Sequence, residues 1–569
     1  MISQPVLLLL ALSYVMVLVL VALWAERHPE WHSRLHPFIY SLTLAVYCSS
    51  WTYFGAVGTA ARGAWAYLPI YLGPILLFVF GTPLLQKLVR IGVRQKTTSI
   101  ADFIGSRYGK RQALAALVAV VAVVGSMPYI ALQLKAVSLA WDTVAGTINT
   151  EQIGGYQPDS ALITAILLAV FSMVFGTRHL EGRERNRGMM GALAIESVVK
   201  LVAFIAIGIL ALVIATDIDT TEIIAGKTLL EPWLENPVDA RFITMGLLAT
   251  LAIICLPRQF HVTVVEFQDD RDLRMAPWLF PLYLLIISAV VLPITLVGQQ
   301  LFSGSGVAPD TYVLNLSMSG GSSYLTALAF IGGFSAATGM VIVAAVTLSI
   351  MISNEIILPL LLRWRKEQFR QAAFLGRYLR WIRRSSILVL LVASWAMSRM
   401  FVKDEGLASI GLLSFACFAQ LSPALIGGIY WRKAHALGVY AGLAVGFLFW
   451  SYCLLLPSLL VAGDTFLVSG PWGIEWLRPQ ALFGFDFFDP LSHGVWWSLV
   501  SNLVLYIGVS LYVEAKERDE LQAEVFVTAP EFKAYGEDDF ELSSIQVGQL
   551  RQLLESFISR SQHEELWRA

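Results

Sequence analysis

The stretch YCSSWTYFGAVG (47–58) decides the fold. It lies in the middle of an apolar segment running over 37–60. A membrane-crossing helix needs about 20 apolar residues, and an unpaired polar group in hydrocarbon costs several kcal/mol. Here Ser49, Ser50 and Thr52 sit at mid-depth, with Gly55 and Gly58 close behind. Polar groups at that depth face a cavity or another helix. Two readings stand on this stretch alone: a broken helix lining a small-solute site, or a helix that packs through small residues.

The rest of the chain is of the same kind. Of its 569 residues, 57% are hydrophobic and 14% charged, with a mean hydropathy of +0.66. Soluble domains carry about 25% charge, so most of this chain belongs in lipid. Thirteen segments reach spanning length: 5–24, 37–60, 66–86, 112–144, 160–177, 190–214, 242–264, 277–299, 323–360, 385–402, 407–430, 436–461 and 494–514. They are continuously apolar and do not alternate, which excludes a β-barrel and predicts one all-α polytopic domain. Cys48, Cys255, Cys417 and Cys453 all fall in apolar segments without Cys-x-x-Cys spacing, against a disulfide framework or a zinc site. His32 and His36 are four apart but have no further metal ligands near them. The first segment lacks a basic lead and a small-residue cleavage site, so it reads as a retained span. There are no paired carboxylates, no nucleophile with a base and no phosphate loop, so the chain carries no catalytic motif. No nucleic-acid partner is expected.

Positive charge orients the spans. The segment after span three carries Lys87, Arg90, Arg94, Lys96, Arg107, Lys110 and Arg111, and basic clusters follow spans five (178–187) and nine (363–384). The intervening loops at 145–159 and 300–322 have no Lys or Arg, and 215–240 has Lys227 against six acidic residues. This alternation predicts an N-terminus outside and a C-terminus in the cytoplasm. The basic clusters mark topology.

Secondary transporters are often built from inverted repeats, with the site at two matching broken helices. Five spans starting at the second (about 37–214) and five starting at the seventh (about 242–430) satisfy that plan. The first member of one repeat is the opening stretch. The first member of the other contains Pro257, which removes a backbone donor and breaks a helix. Residues 515–569 are polar and charged. Within them Leu550, Leu553, Leu554, Phe557 and Ile558 form an amphipathic stripe, read as a small cytoplasmic docking module.

Three stretches resemble the sodium/solute symporter family, whose members carry proline, sugars and pantothenate. KTTSIADFIGSRYGKR (96–111) is similar to the family's segment before the fourth span. The stretch 411–446, with Tyr430-Trp431-Arg432-Lys433, resembles its C-terminal signature. ATLAIICLPRQFHVTVVEF (249–267) resembles its Gly-Gln-Pro-His helix. The resemblance covers about 15–514 and implies a LeuT-like fold of five plus five core helices in a bacterial cytoplasmic (inner) membrane. It agrees best with the subgroup fused to sensor kinases, the CbrA-like proteins, in which a STAC-like linker module similar to 515–569 joins transporter to kinase. That implies a histidine kinase module, in the same or a neighbouring chain, with its response regulator. The sequence itself holds no phosphoacceptor box and no ATP-binding domain, so it reads as a fragment of such a kinase or as a free-standing relative.

The resemblance also implies a cation site between the broken second span and the ninth. Aligned residues give carbonyls at Ala45 and Cys48, a carbonyl at Gly332 and a hydroxyl at Ser335. The next family position, usually Ser or Thr, is Ala336 here, with Thr338 three residues beyond Ser335. Tyr47 stands where proline transporters have an acidic residue. So few oxygen ligands shift the expected coupling ion from Na+ to H+. Glu196 and Lys200, at i and i+4 in span six, share a helix face and are expected to pair. Lys135, in span four beside Gln133, is a candidate to replace a cation or carry a proton.

Ser49, Ser50, Trp51 and Gln133 are the leading substrate residues, followed by Gln259 and His261. For His261 a helix–helix hydrogen bond is the competing role. Helix N-termini at a break favour a carboxylate, which suits an amino acid, and the resemblance makes histidine the first to try. The expected function is cation-coupled import by alternating access. The alternative is a solute sensor that regulates a kinase.

Overall fold

The computed structural model describes residues 2–146, 159–176, 186–217, 232–235, 238–302, 304–364, 372–401, 406–461, 463–515 and 517–528. Those residues are almost wholly helical, with no strand among them. The principal helices are α1 (Gln4–Arg27), α2 (Pro29–Leu44), α3 (Ala56–Gly63), α4 (Pro69–Phe80), α5 (Gln112–Ala145), α6 (Ser160–Gly176) and α7 (Arg187–Asp217). They continue as α8 (Ala240–Cys255), α9 (Pro257–Phe260), α10 (Asp270–Phe302), α11 (Ser323–Met351), α12 (Ala372–Ser398), α13 (Leu407–Ala419), α14 (Ala436–Trp450), α15 (Pro490–Tyr512) and α16 (Glu517–Val527). Helix falls on each of the thirteen predicted segments. Among the described residues, eight helices are by length and apolarity able to cross a membrane, or ten if two bent pairs each count as one span. The chain is an all-α, multi-pass membrane protein.

Local chemistry sets the helix ends. The Asp239 carboxylate accepts from Phe242 N–H at the start of α8, and the Ser322 hydroxyl accepts from Leu325 N–H at the start of α11. α5 stops at Gly146, which takes the left-handed conformation (φ 72°) that suits glycine at a C-cap. Small residues then let the helices approach. A Cβ on Gly73 of α4 would lie 2.8 Å from both Gly246 O and Thr250 N of α8. α7 is central, packing on α1, α10 and α11.

Both expected breaks are present. α2 ends at Leu44, a tight turn covers Ala45–Tyr47, and Cys48 is extended (φ −75°, ψ 95°) before the helix resumes at Trp51 as one wide turn, Trp51–Gly55. α8 ends at Cys255, Leu256 is extended (φ −60°, ψ 123°), and Pro257 opens α9 at a position where its missing N–H costs nothing. The α8 pair bends by 52°. A second wide turn, His261–Val265, follows α9 as the first follows the opening break. Residues Met1–Thr528 form one unit, to which α16 belongs. The amphipathic stripe expected at 543–558 lies outside the described residues.

Candidate functional site

A helix break leaves backbone carbonyls without amide partners, and in a membrane interior each must find a donor. Three carbonyls at the first break find side chains. Gln259 Nε2 donates to Leu44 O at 3.2 Å. Lys200 Nζ donates to Ala45 O at 2.6 Å and to Cys48 O at 2.7 Å. The two carbonyls expected to hold a cation are therefore held by an ammonium from α7. Lys200 is 4% exposed, and charge-assisted bonds of this length are the means by which a buried ammonium is tolerated.

Glu196, one turn before Lys200, turns to α11. Thr338 Oγ1 donates to Glu196 Oε1 at 2.8 Å. Ser335 Oγ donates to Glu196 O at 3.1 Å and accepts from Tyr14 Oη of α1 at 2.7 Å. The expected Glu196–Lys200 ion pair is thus replaced. Their shared face lies between two helices, and each side chain bonds a different one. Gly332 serves another purpose, since its missing side chain admits Tyr53, whose hydroxyl donates to Ala329 O at 3.2 Å. α7 bridges the opening break and α11, the two elements that a cation was expected to bridge.

The polar residues of the opening stretch are all buried. Ser50 N–H and Ser50 Oγ both donate to Gln133 Oε1, at 3.0 and 2.6 Å. Ser49 Oγ and Tyr129 Oη share a hydrogen bond of 2.9 Å. The Trp51 indole lies edge-on to Phe415 (centroids 4.9 Å apart) and to Tyr129 (6.2 Å). Ser49, Ser50, Trp51 and Gln133 are thereby brought together around Tyr129, and Gln259 touches the same break from the second broken helix. His261 is directed elsewhere, with Nε2 3.2 Å from Glu266 Oε1. The charge of half-buried Lys135 acts on Asp310, the ion-pair partner of Arg62 (3.1 Å), and the break has Lys200 instead. His36 bonds Asp272 Oδ1 at 2.9 Å.

Sequence reasoning missed Tyr129 and Arg258. Arg258, beside Pro257, is 2% exposed, with its guanidinium 4.3 Å from the centroid of the Tyr129 ring. The signal was available: a charged residue in an apolar span marks a functional site by default.

Two broken helices with buried polar groups at their breaks are an arrangement that secondary transporters also use. Among solved structures, this fold matches a Na+-coupled sialic acid symporter captured substrate-bound and outward-open. The TM-score is 0.61 at 13% identity, covering 90% of this chain and 99% of that one. At that identity the likeness is one of fold. No family model and no curated protein matches the sequence.

Proposed function

We propose that the chain is a cation-coupled symporter that imports a small organic solute by alternating access, with an amino acid as the substrate class and histidine as the first candidate. The observation that carries this reading is the buried polar cluster of Ser49, Ser50, Trp51 and Gln133 at the first helix break, since such transporters bind solutes at broken helices. The solved neighbour is Na+-coupled. In this chain Lys200 takes the Ala45 and Cys48 carbonyls, Glu196 takes the Thr338 hydroxyl, and Ala336 offers no oxygen. This arrangement supports H+ over Na+ as the coupling ion, with Lys200 and Glu196 as the groups that exchange the proton. The basic loops support an N-terminus outside and a cytoplasmic C-terminus in a bacterial inner membrane.

Reconstitution tests this. Uptake of labelled amino acids is measured under an imposed proton gradient and then an imposed sodium gradient. The expected outcome is proton-driven uptake with no sodium requirement. Sodium-driven uptake defeats the coupling assignment. A second reading, a solute sensor linked to a histidine kinase and response regulator, is favoured by α16, whose Phe526 is fully buried against the helical body. Solute binding without uptake under either gradient would leave that reading alone.

A further inference from the structure

Most of the buried polar atoms that lack partners around Tyr129 are donors; Gln259 Oε1, an acceptor at the same break, and the Ser414 hydroxyl are the others. Arg258 Nε and Nη2 are buried and unpartnered. So is Trp51 Nε1. Gln133 lies one helical turn beyond Tyr129 on α5. Its Oε1 accepts from the backbone N–H of Ser50, a group able only to donate, which fixes the amide and leaves Nε2 as an unpartnered donor. Arg258 Nε and Nη2, Trp51 Nε1 and Gln133 Nε2 are all hydrogen-bond donors. Nε and Nη2 form one edge of the guanidinium, the edge that matches the two oxygens of a carboxylate. The guanidinium carbon lies 4.3 Å from the centroid of the Tyr129 ring, which engages the face of that plane and makes no hydrogen bond to its edge. A second buried cation, Lys200, is within electrostatic range of Arg258. The carboxylate nearest that lysine along α7, Glu196, is engaged with Thr338. A buried guanidinium without an anionic partner is costly, and an anionic ligand removes the cost.

The geometry points to Arg258 as the anchor for a carboxylate on the solute. This rests on the symport reading and narrows it. The solute is a small organic acid or amino acid whose carboxylate takes the Nε–Nη2 edge, with the Trp51 indole N–H and the Gln133 amide as further donors. Arg258 is then the residue that separates acids from their neutral analogues.

The test uses the purified full chain and matched pairs of probes: L-histidine and its amide, other common amino acids and their amides, and lactate and pyruvate beside lactamide and pyruvamide. Binding is read by calorimetry and by tryptophan fluorescence. At least one acid is expected to bind about 100-fold more tightly than its amide, the factor that a charged hydrogen-bond pair supports. Arg258→Gln is expected to weaken the acid until acid and amide bind alike. Arg258→Lys, which keeps the charge, is expected to retain part of the difference. A merely structural role would lower both affinities and leave their ratio unchanged. An unchanged ratio in Arg258→Gln, or no acid in the panel binding, overturns the assignment. Acid binding without uptake under any gradient overturns the symport reading and keeps the anchor. Uptake of a carboxylate-free solute that survives Arg258→Gln keeps symport and overturns the anchor.

Discussion

Lys200 does two jobs with one ammonium: it satisfies a broken helix and it places a positive charge at the centre of the bundle. Lys200→Met removes both. Cys48 O loses its donor, and Ala45 O keeps only the Cys48 N–H at 3.0 Å. An unsatisfied buried acceptor costs about 1–3 kcal/mol, so thermal unfolding is expected at a lower temperature, with proton-driven uptake abolished. Glu196→Gln separates charge from shape. The amide oxygen still accepts from Thr338, so the unfolding midpoint is expected to hold within about 0.5 kcal/mol while proton-driven uptake falls at least about tenfold. The i, i+4 spacing in the sequence placed Glu196 and Lys200 on one face and stopped there. What faces them is set by residues some 150 and 140 positions away (Ala45, Cys48 and Thr338), and spacing holds no information about that. Arg258 is legible in the sequence only as a charge in an apolar run, because the ring it meets, Tyr129, lies on another helix.

At the scale of elements, the breaks were legible and their consequences only in part. Ser49 and Ser50 at mid-depth, and Pro257 in an apolar run, mark where helix cannot continue. The wide turns Trp51–Gly55 and His261–Val265 have no such mark, although wide turns of this kind gather at functional sites. Close helix approach was equally hidden, since a glycine in sequence does not name what lies against it. Gly411 of α13 does so in space: a Cβ there would lie 2.6 Å from the Trp51 ring. Gly411→Ala is therefore expected to displace the indole, read as a shift in tryptophan emission together with weaker solute binding. Gly73→Ala meets backbone on α8 and has no flexible neighbour to move. It is expected to destabilise by about 1–3 kcal/mol in denaturant or thermal unfolding, with the emission wavelength unchanged.

At the scale of the molecule, the amphipathic stripe read as a docking module lies outside the described residues, and α16 is the described part of the polar tail before it. Its anchors are long-range and could not be read from the chain. Asp519 lies 2.7 Å from Arg111 Nη2 and 3.7 Å from His435 Nε2. Arg432 lies 3.3 Å from Glu524, and Lys87 Nζ donates to Val527 O at 3.0 Å. Gly109, at φ 82°, leaves room for the Asp519 carboxylate. Burial and then the Arg111 charge push the His435 imidazole below its ordinary value, while the Asp519 carboxylate of α16 acts the other way. Asp519→Asn removes the carboxylate that α16 places against both Arg111 and His435, and amide exchange in 517–528 is expected to speed up. Phe526 of α16 meets Phe103 edge-on with centroids 5.3 Å apart, and Phe103 meets Phe260 of α9 at 5.6 Å. Those three rings run from the end of the helical body to the short helix that holds Arg258. In mechanical terms they are a train of contacts along which a displacement at Thr528 would reach the segment that carries Arg258.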